Sequence, residues 1–127
     1  MCGLKDNRGF TLLEVLIAVV VLSIGLLGMA GLTTGIMRGN LLSSRMTTAV
    51  TLAQQKIEAM RGLGHSGMAM TDTTTTEDYR SMADHPSYKR VTSVDVANPA
   101  PGMKTVTVTV FWDGDGHSTL LTAIFGQ

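Results

Sequence analysis

The sequence predicts an α+β fold, a long N-terminal helix packed against a small C-terminal antiparallel β-sheet, with the first half of the helix transmembrane. Three observations predict it. Val15 to Met37 is a run of twenty-three residues without a charge, longer than the roughly 20 that a bilayer-spanning helix needs. Apolar residues then recur at helical spacing as far as Met60. From Tyr88 the period changes, and Val106, Val108, Val110 and Trp112 alternate with Thr105, Thr107 and Thr109, the mark of a half-buried strand.

The first element is the apolar rod. At about 1.5 Å per residue the uncharged run is roughly 34 Å long, enough to cross the hydrocarbon core with some tilt. Glu14 is the single charge between Gly9 and Met37. A carboxylate near the middle of a bilayer costs roughly 2.5–3.5 kcal/mol, and less near the interface, so such groups usually have a partner. Thr11 and Glu14 also have the S/T-x-x-E spacing of a capping box, and an acid in the first turn suits the helix dipole. That spacing alone does not explain why a charged leader ends in glycine just before Phe10.

The leader, Met1 to Gly9, has no apolar region of its own and no small-residue cleavage site, so it does not read as an ordinary secretory signal. Lys5 and Arg8 favour a cytoplasmic leader, although Arg38, Arg45 and Lys56 lie beyond the other end of the rod. Cys2 is the only cysteine, which excludes an intramolecular disulfide, and it precedes the apolar run where a lipoprotein cysteine would follow one. The net charge is zero, and no long-range field argues for nucleic acid or an acidic substrate.

The helix continues beyond the rod. Leu42, Met46, Val50, Ala53, Ile57 and Met60 form an apolar stripe, and Arg45, Gln54, Gln55 and Lys56 fall largely elsewhere on the wheel. One helix from about Thr11 to Arg61 is expected, stopping at Gly62 and Gly64. Gly31, Gly35 and Gly39 make two overlapping GxxxG steps, which let membrane helices approach closely. Each glycine also weakens a helix by roughly 1 kcal/mol relative to alanine. Both effects suit a subunit of a helical bundle, and glycine is also simply frequent in transmembrane helices.

His65 to Pro86 is polar and lacks a period; it reads as a variable loop, with a short edge strand as an alternative and Thr73 to Thr76 solvated. His65, His85 and His117 lack ligand spacing, so no metal site is expected. Val91, Val94 and Val96 suggest a strand, followed by a break at Asn98 to Gly102. Asp113 to Gly116 carries a hairpin signal, and Leu120 to Phe125 supplies the returning strand. The two acids of that turn fall short of the six to eight oxygens calcium takes. The result is a sheet of three or four strands on the C-terminal half of the helix, with a core small enough to need help from neighbours. No base, nucleophile elbow or phosphate-binding glycine loop is assembled, so an enzyme is not expected and no cofactor is implied.

The stretch GFTLLEVLIAVVVLSIGLLGMAGL resembles the N-terminal segment of type IV pilins and pseudopilins, and most closely the minor pilins of the pilus-modification (PilV-like) type. VTVTVFWDGDG near the C-terminus is similar to the same group, less diagnostically. The resemblance implies that a prepilin peptidase cuts between Gly9 and Phe10 and methylates Phe10, which leaves Glu14 as the fifth mature residue. It further implies a leader at 1–9, a transmembrane and assembly helix at 10–37, and a periplasmic pilin-like domain at 38–127. The implied partners are other pilins and minor pilins, the prepilin peptidase, the pilus assembly machinery and inner membrane lipid, with no nucleic acid contact predicted. The implied role is to prime assembly, within or at the tip of a pilus, and to tune adhesion, motility or DNA uptake. The physics suits this. An α-amino group at Phe10, with an ordinary pKa near 8, is largely charged at neutral pH. Glu14 of one subunit meeting the amine of its neighbour would fix their axial offset, and breaking a buried pair of that kind costs about 3–5 kcal/mol. LAQQKIE (Leu52 to Glu58) looks equally like the minor pseudopilins of type II secretion systems, which is one alternative. An uncleaved single-span membrane protein with a periplasmic binding domain is another.

Overall fold

The computed structural model describes residues 9–127, so the predicted leader, with Cys2, Lys5 and Arg8, lies outside the described residues except for Gly9. The order of elements is helix α1 (Leu12–Gly67), then strands β1 (Thr73–Glu77), β2 (Tyr88–Val96), β3 (Lys104–Trp112) and β4 (His117–Phe125). The chain divides into two compact units, Met1–Leu41 and Leu42–Gln127.

In the first unit α1 is bare. Every described residue up to Leu41 is exposed, including Leu16, Ile17, Leu22, Ile24 and Leu26. Thr11 caps the helix: its Oγ1 accepts the Glu14 N–H at 3.2 Å, and its carbonyl accepts the Val15 N–H at 3.2 Å. The first bond satisfies one of the amides that any helix start leaves open, and the second is the first hydrogen bond of the helix itself. The hydroxyls of Ser23, Thr33 and Thr34 donate back to the carbonyls of Val19, Met29 and Ala30. The rod therefore carries no hydroxyl that needs water, which suits an apolar surrounding.

In the second unit the sheet is antiparallel throughout, in the order β1-β2-β3-β4. Lys104, Val106, Val108, Val110 and Trp112 alternate inward along β3, and the three valines are fully buried. Threonines 105, 107 and 109 take the other face, as the alternation predicts. Ala49, Leu52, Ala53 and Ile57 of α1 close the core with Tyr88, Val94 and Met68. The predicted helix stripe is corrected here. Leu42 and Met46 are exposed, and Ala49 and Leu52 are buried in their place. The buried face is rotated because Ala49 and Ala53, both without exposed surface, let the helix settle closely on the sheet.

Two further expectations change. Helical structure extends to Gly67, past Arg61 and Gly62, and breaks at Gly64 (φ 68°, ψ 172°), a conformation open essentially only to glycine. The Thr73 to Thr76 run is not a solvated loop but most of β1, paired from Thr73↔Val94 to Glu77↔Arg90. Threonine is β-branched and favours a pleated surface even without apolar alternation. The hairpin between β3 and β4 closes with Trp112 opposite His117. Asp113, Gly114 and Asp115 all have positive φ, and the Gly116 N–H donates to the Asp113 carbonyl at 3.2 Å, so the strands are joined by a four-residue loop that turns through left-handed backbone.

Polar fastenings hold the layers. The Arg90 guanidinium makes a bidentate pair with Glu77, 2.7 Å in each arm, and gives its third contact to the Leu52 carbonyl at 3.0 Å. Lys56 reaches the same carboxylate at 3.3 Å, so β1, β2 and the helix meet at one acid. Lys104 is only 2% exposed; its ammonium donates to the carbonyls of His65 (2.8 Å) and Met68 (3.4 Å) at the helix C-terminus. A cation there complements the negative end of the helix dipole.

Candidate functional site

The residues singled out for assembly gather at the start of α1. Phe10 is 84% exposed and stands one turn before Glu14. Phe10, Glu14, Val15, Ala18, Val19 and Leu22 together line an open, almost wholly apolar face. Glu14 is exposed, and among the described residues no basic side chain reaches it. The helix thus presents a carboxylate on a surface that otherwise offers only hydrocarbon.

The glycines are unexplained from within the chain. A Cβ added at Gly9, Gly31, Gly35 or Gly39 would meet no atom within 4 Å. At four-residue spacing the last three fall on one side of the helix. The chain's own packing requires no glycine at these places.

The apolar window of α1 has a mean hydropathy of 2.7, and none of it is buried. A contiguous apolar surface far larger than the few hundred Å² of an ordinary monomer's patch marks a membrane or protein contact. The helix is long and apolar enough to cross a bilayer. Residues 4–30 match the family model described as the prokaryotic N-terminal methylation motif. The chain carries a prepilin-type methylation motif. The match makes the N-terminus similar to that of type IV pilin-like or pseudopilin-like prepilins, on a helix long and apolar enough to cross a membrane. No curated protein and no solved structure matches the chain.

The second unit, Leu42–Gln127, forms a head unit and holds groups that sequence spacing did not bring together. His85 and His117 join one aromatic row: His85 stands edge-on to Tyr88, Tyr88 lies 6.4 Å from Trp112, and Trp112 stacks with His117 at 5.8 Å. Among the described residues no cluster of three or more histidine, cysteine or acidic side chains is placed to hold a metal. Asp115 of the hairpin turn accepts from Lys89 Nζ at 2.5 Å and from the Tyr79 hydroxyl at 2.8 Å. Hydrogen bonds from Lys89 first and Tyr79 second hold its carboxyl below the usual aspartate range. Asp115 thereby anchors the loop before β2, and Asp113 instead faces Arg45 and His117 at 3.8 and 3.9 Å. No spacing rule reveals this, because Tyr79 and Asp115 are 36 residues apart.

Proposed function

We propose that this chain is a minor type IV pilin, inserted in the inner membrane, processed after Gly9 and built into or at the tip of a pilus. The observation that carries the reading is the methylation motif over residues 4–30 on a helix whose apolar surface nothing in the chain covers. Cleavage at Gly9–Phe10 frees an amine that is methylated on Phe10. In the filament the amine of one subunit then meets Glu14 of its neighbour, which removes the cost of an unpaired carboxylate among apolar helices. The domain boundaries follow: residues 1–9 are the leader, 10–37 the membrane and assembly helix, and 38–127 a domain held in the periplasm before assembly. Gly31, Gly35 and Gly39 let the packed helices of adjacent subunits approach closely. The subunit primes assembly and tunes what the pilus does, in adhesion, motility or DNA uptake.

Glu14→Ala tests the pairing. The variant is expected to insert and to be cleaved normally, and to fall at least about tenfold in sheared filaments, the loss that roughly 1.4 kcal/mol brings. Recovery of the variant in filaments at the unaltered level would remove the amine–carboxylate pair from the account.

A further inference from the structure

The head unit carries a cleft of about 580 Å³ that the assembly reading does not use. It opens between the Arg45 turn of α1, the segments at Tyr79–Arg80 and Pro86–Tyr88, and the start of the β3–β4 turn at Asp113–Gly114. Its volume lies within the range of small-molecule sites, about 300–1,000 Å³. Tyr88 and Trp112 line it and are almost wholly buried. The indole Nε1 of Trp112 has no acceptor among the described residues. A buried donor without a partner is rare, because its desolvation then goes uncompensated.

The charges around the cleft are unbalanced. Arg45 and Arg80 line it, and Asp113 is the only acid that does so. The Arg45–Asp113 contact is long, at 3.8 Å, with both side chains about half exposed. Among the described residues Arg80 makes no ion pair. Its backbone is nevertheless fixed, with φ of 68° and its N–H donating to the Pro86 carbonyl at 3.0 Å. A non-glycine residue in that region is uncommon and for arginine is not favoured by local chemistry. Tyr79 beside it is tied through its hydroxyl, which donates to Asp115 Oδ1 at 2.8 Å and accepts the Asp115 N–H at 2.9 Å. Two guanidiniums against one carboxylate leave a surplus of one positive charge, which a monoanion matches. Guanidinium pairs with a carboxylate through two parallel hydrogen bonds. Tyr79, only half-buried, is the aromatic ring with surface to offer the C–H face of a ligand ring, above a floor made by the buried Tyr88 and Trp112, and the Ser87 hydroxyl suits a ring that bears hydroxyls.

We propose that this cleft binds a sugar acid, a saccharide unit with a carboxylate held by Arg45 and Arg80 and a ring held against Tyr79, Tyr88 and Trp112. Trp112 is the chain's single tryptophan; it lines the cleft and also packs in the core, so its emission responds to ligand in the cleft and the arginine variants separate that response from a change in the core. The test is a titration of the full chain, in detergent micelles, with D-glucuronate. The proposal predicts a saturable change in emission with half-saturation below about 10 mM, weakened about tenfold or more in Arg80→Gln. D-glucose and acetate are each expected to bind at least about tenfold more weakly than glucuronate. Arg80 is exposed, so the variant is expected to keep the far-ultraviolet spectrum of the parent, and Arg45→Gln provides an independent second variant. The absence of a saturable change with glucuronate would overturn the proposal. So would unaltered affinity in both arginine variants, and so would acetate binding as tightly as glucuronate, which would reduce the cleft to a site for any small anion.

Discussion

At the scale of the residue, single polar groups hold the head unit's layers together. Glu77 is the clearest, because it joins β1 to β2 through Arg90 and to the helix through Lys56. Glu77→Ala leaves Arg90 partly buried without its carboxylate, and a loss of about 2 kcal/mol is expected in urea unfolding of the full chain. The same group predicts a pH dependence. The hydrogen bond from Arg90 is the largest influence and outweighs burial, so the folded Glu77 carboxyl titrates below its ordinary value. A depressed carboxyl contributes stability that is fully present above the unfolded value, about 4.3, and is lost as pH falls through the lower folded one. Unfolding midpoints are therefore expected to drop on acidification below about pH 4.3 and to drop less steeply in Glu77→Gln. Equal slopes in the two proteins would assign the acid sensitivity to other groups. Lys104 acts at the other end of the sheet. Lys104→Ala removes a cation and two hydrogen bonds from the carbonyls of His65 and Met68. A loss of about 2 kcal/mol is expected in the same unfolding measurement.

At the scale of the element, legibility followed the range of the interactions involved. β3 was readable because alternation is a property of the strand itself, and its valines sit inward at every second position. The same alternation places Lys104 inside, yet nothing near it in sequence explains a buried lysine. Its partners lie 39 and 36 residues away, at the helix end. β1 was legible only as an alternative, a short edge strand within the polar segment, because four threonines in a row give no period and its pairing depends on β2. The helix stripe was misplaced by a fraction of a turn because the helical wheel weighs Leu42 and Met46 above alanine. Close approach to the sheet favours the small side chain of Ala49 instead, beside Ala53 and Ile57, which are buried as the stripe predicts. The glycine stop was readable in kind, and the structure selects Gly64 as the break, since there the backbone needs a conformation that a Cβ opposes. Gly64→Ala is expected to cost about 1–3 kcal/mol, measured by thermal unfolding against Gly62→Ala, whose position has ordinary helical backbone.

At the scale of the whole molecule, the two units have opposite needs. The second buries a small core of its own, with Val106, Val108 and Val110 at the centre. The first buries nothing, and its exposed leucines, isoleucines and valines need lipid or other helices around them. The proposed assembly site is local in sequence: Gly9, Phe10 and Glu14 lie within a turn or two of each other, so no tertiary contact is needed to bring them together. The arginine-lined cleft was not legible, since helix, loop and hairpin residues separated by tens of positions make it.

The central claim is that the chain is processed at Gly9 and modified at Phe10. The most direct test is the mass of the N-terminal peptide from membranes of cells with and without the prepilin peptidase. The account predicts a methylated peptide beginning at Phe10 that disappears without the peptidase. A terminus at Met1 or Cys2 in both strains would contradict it and leave a membrane-anchored domain.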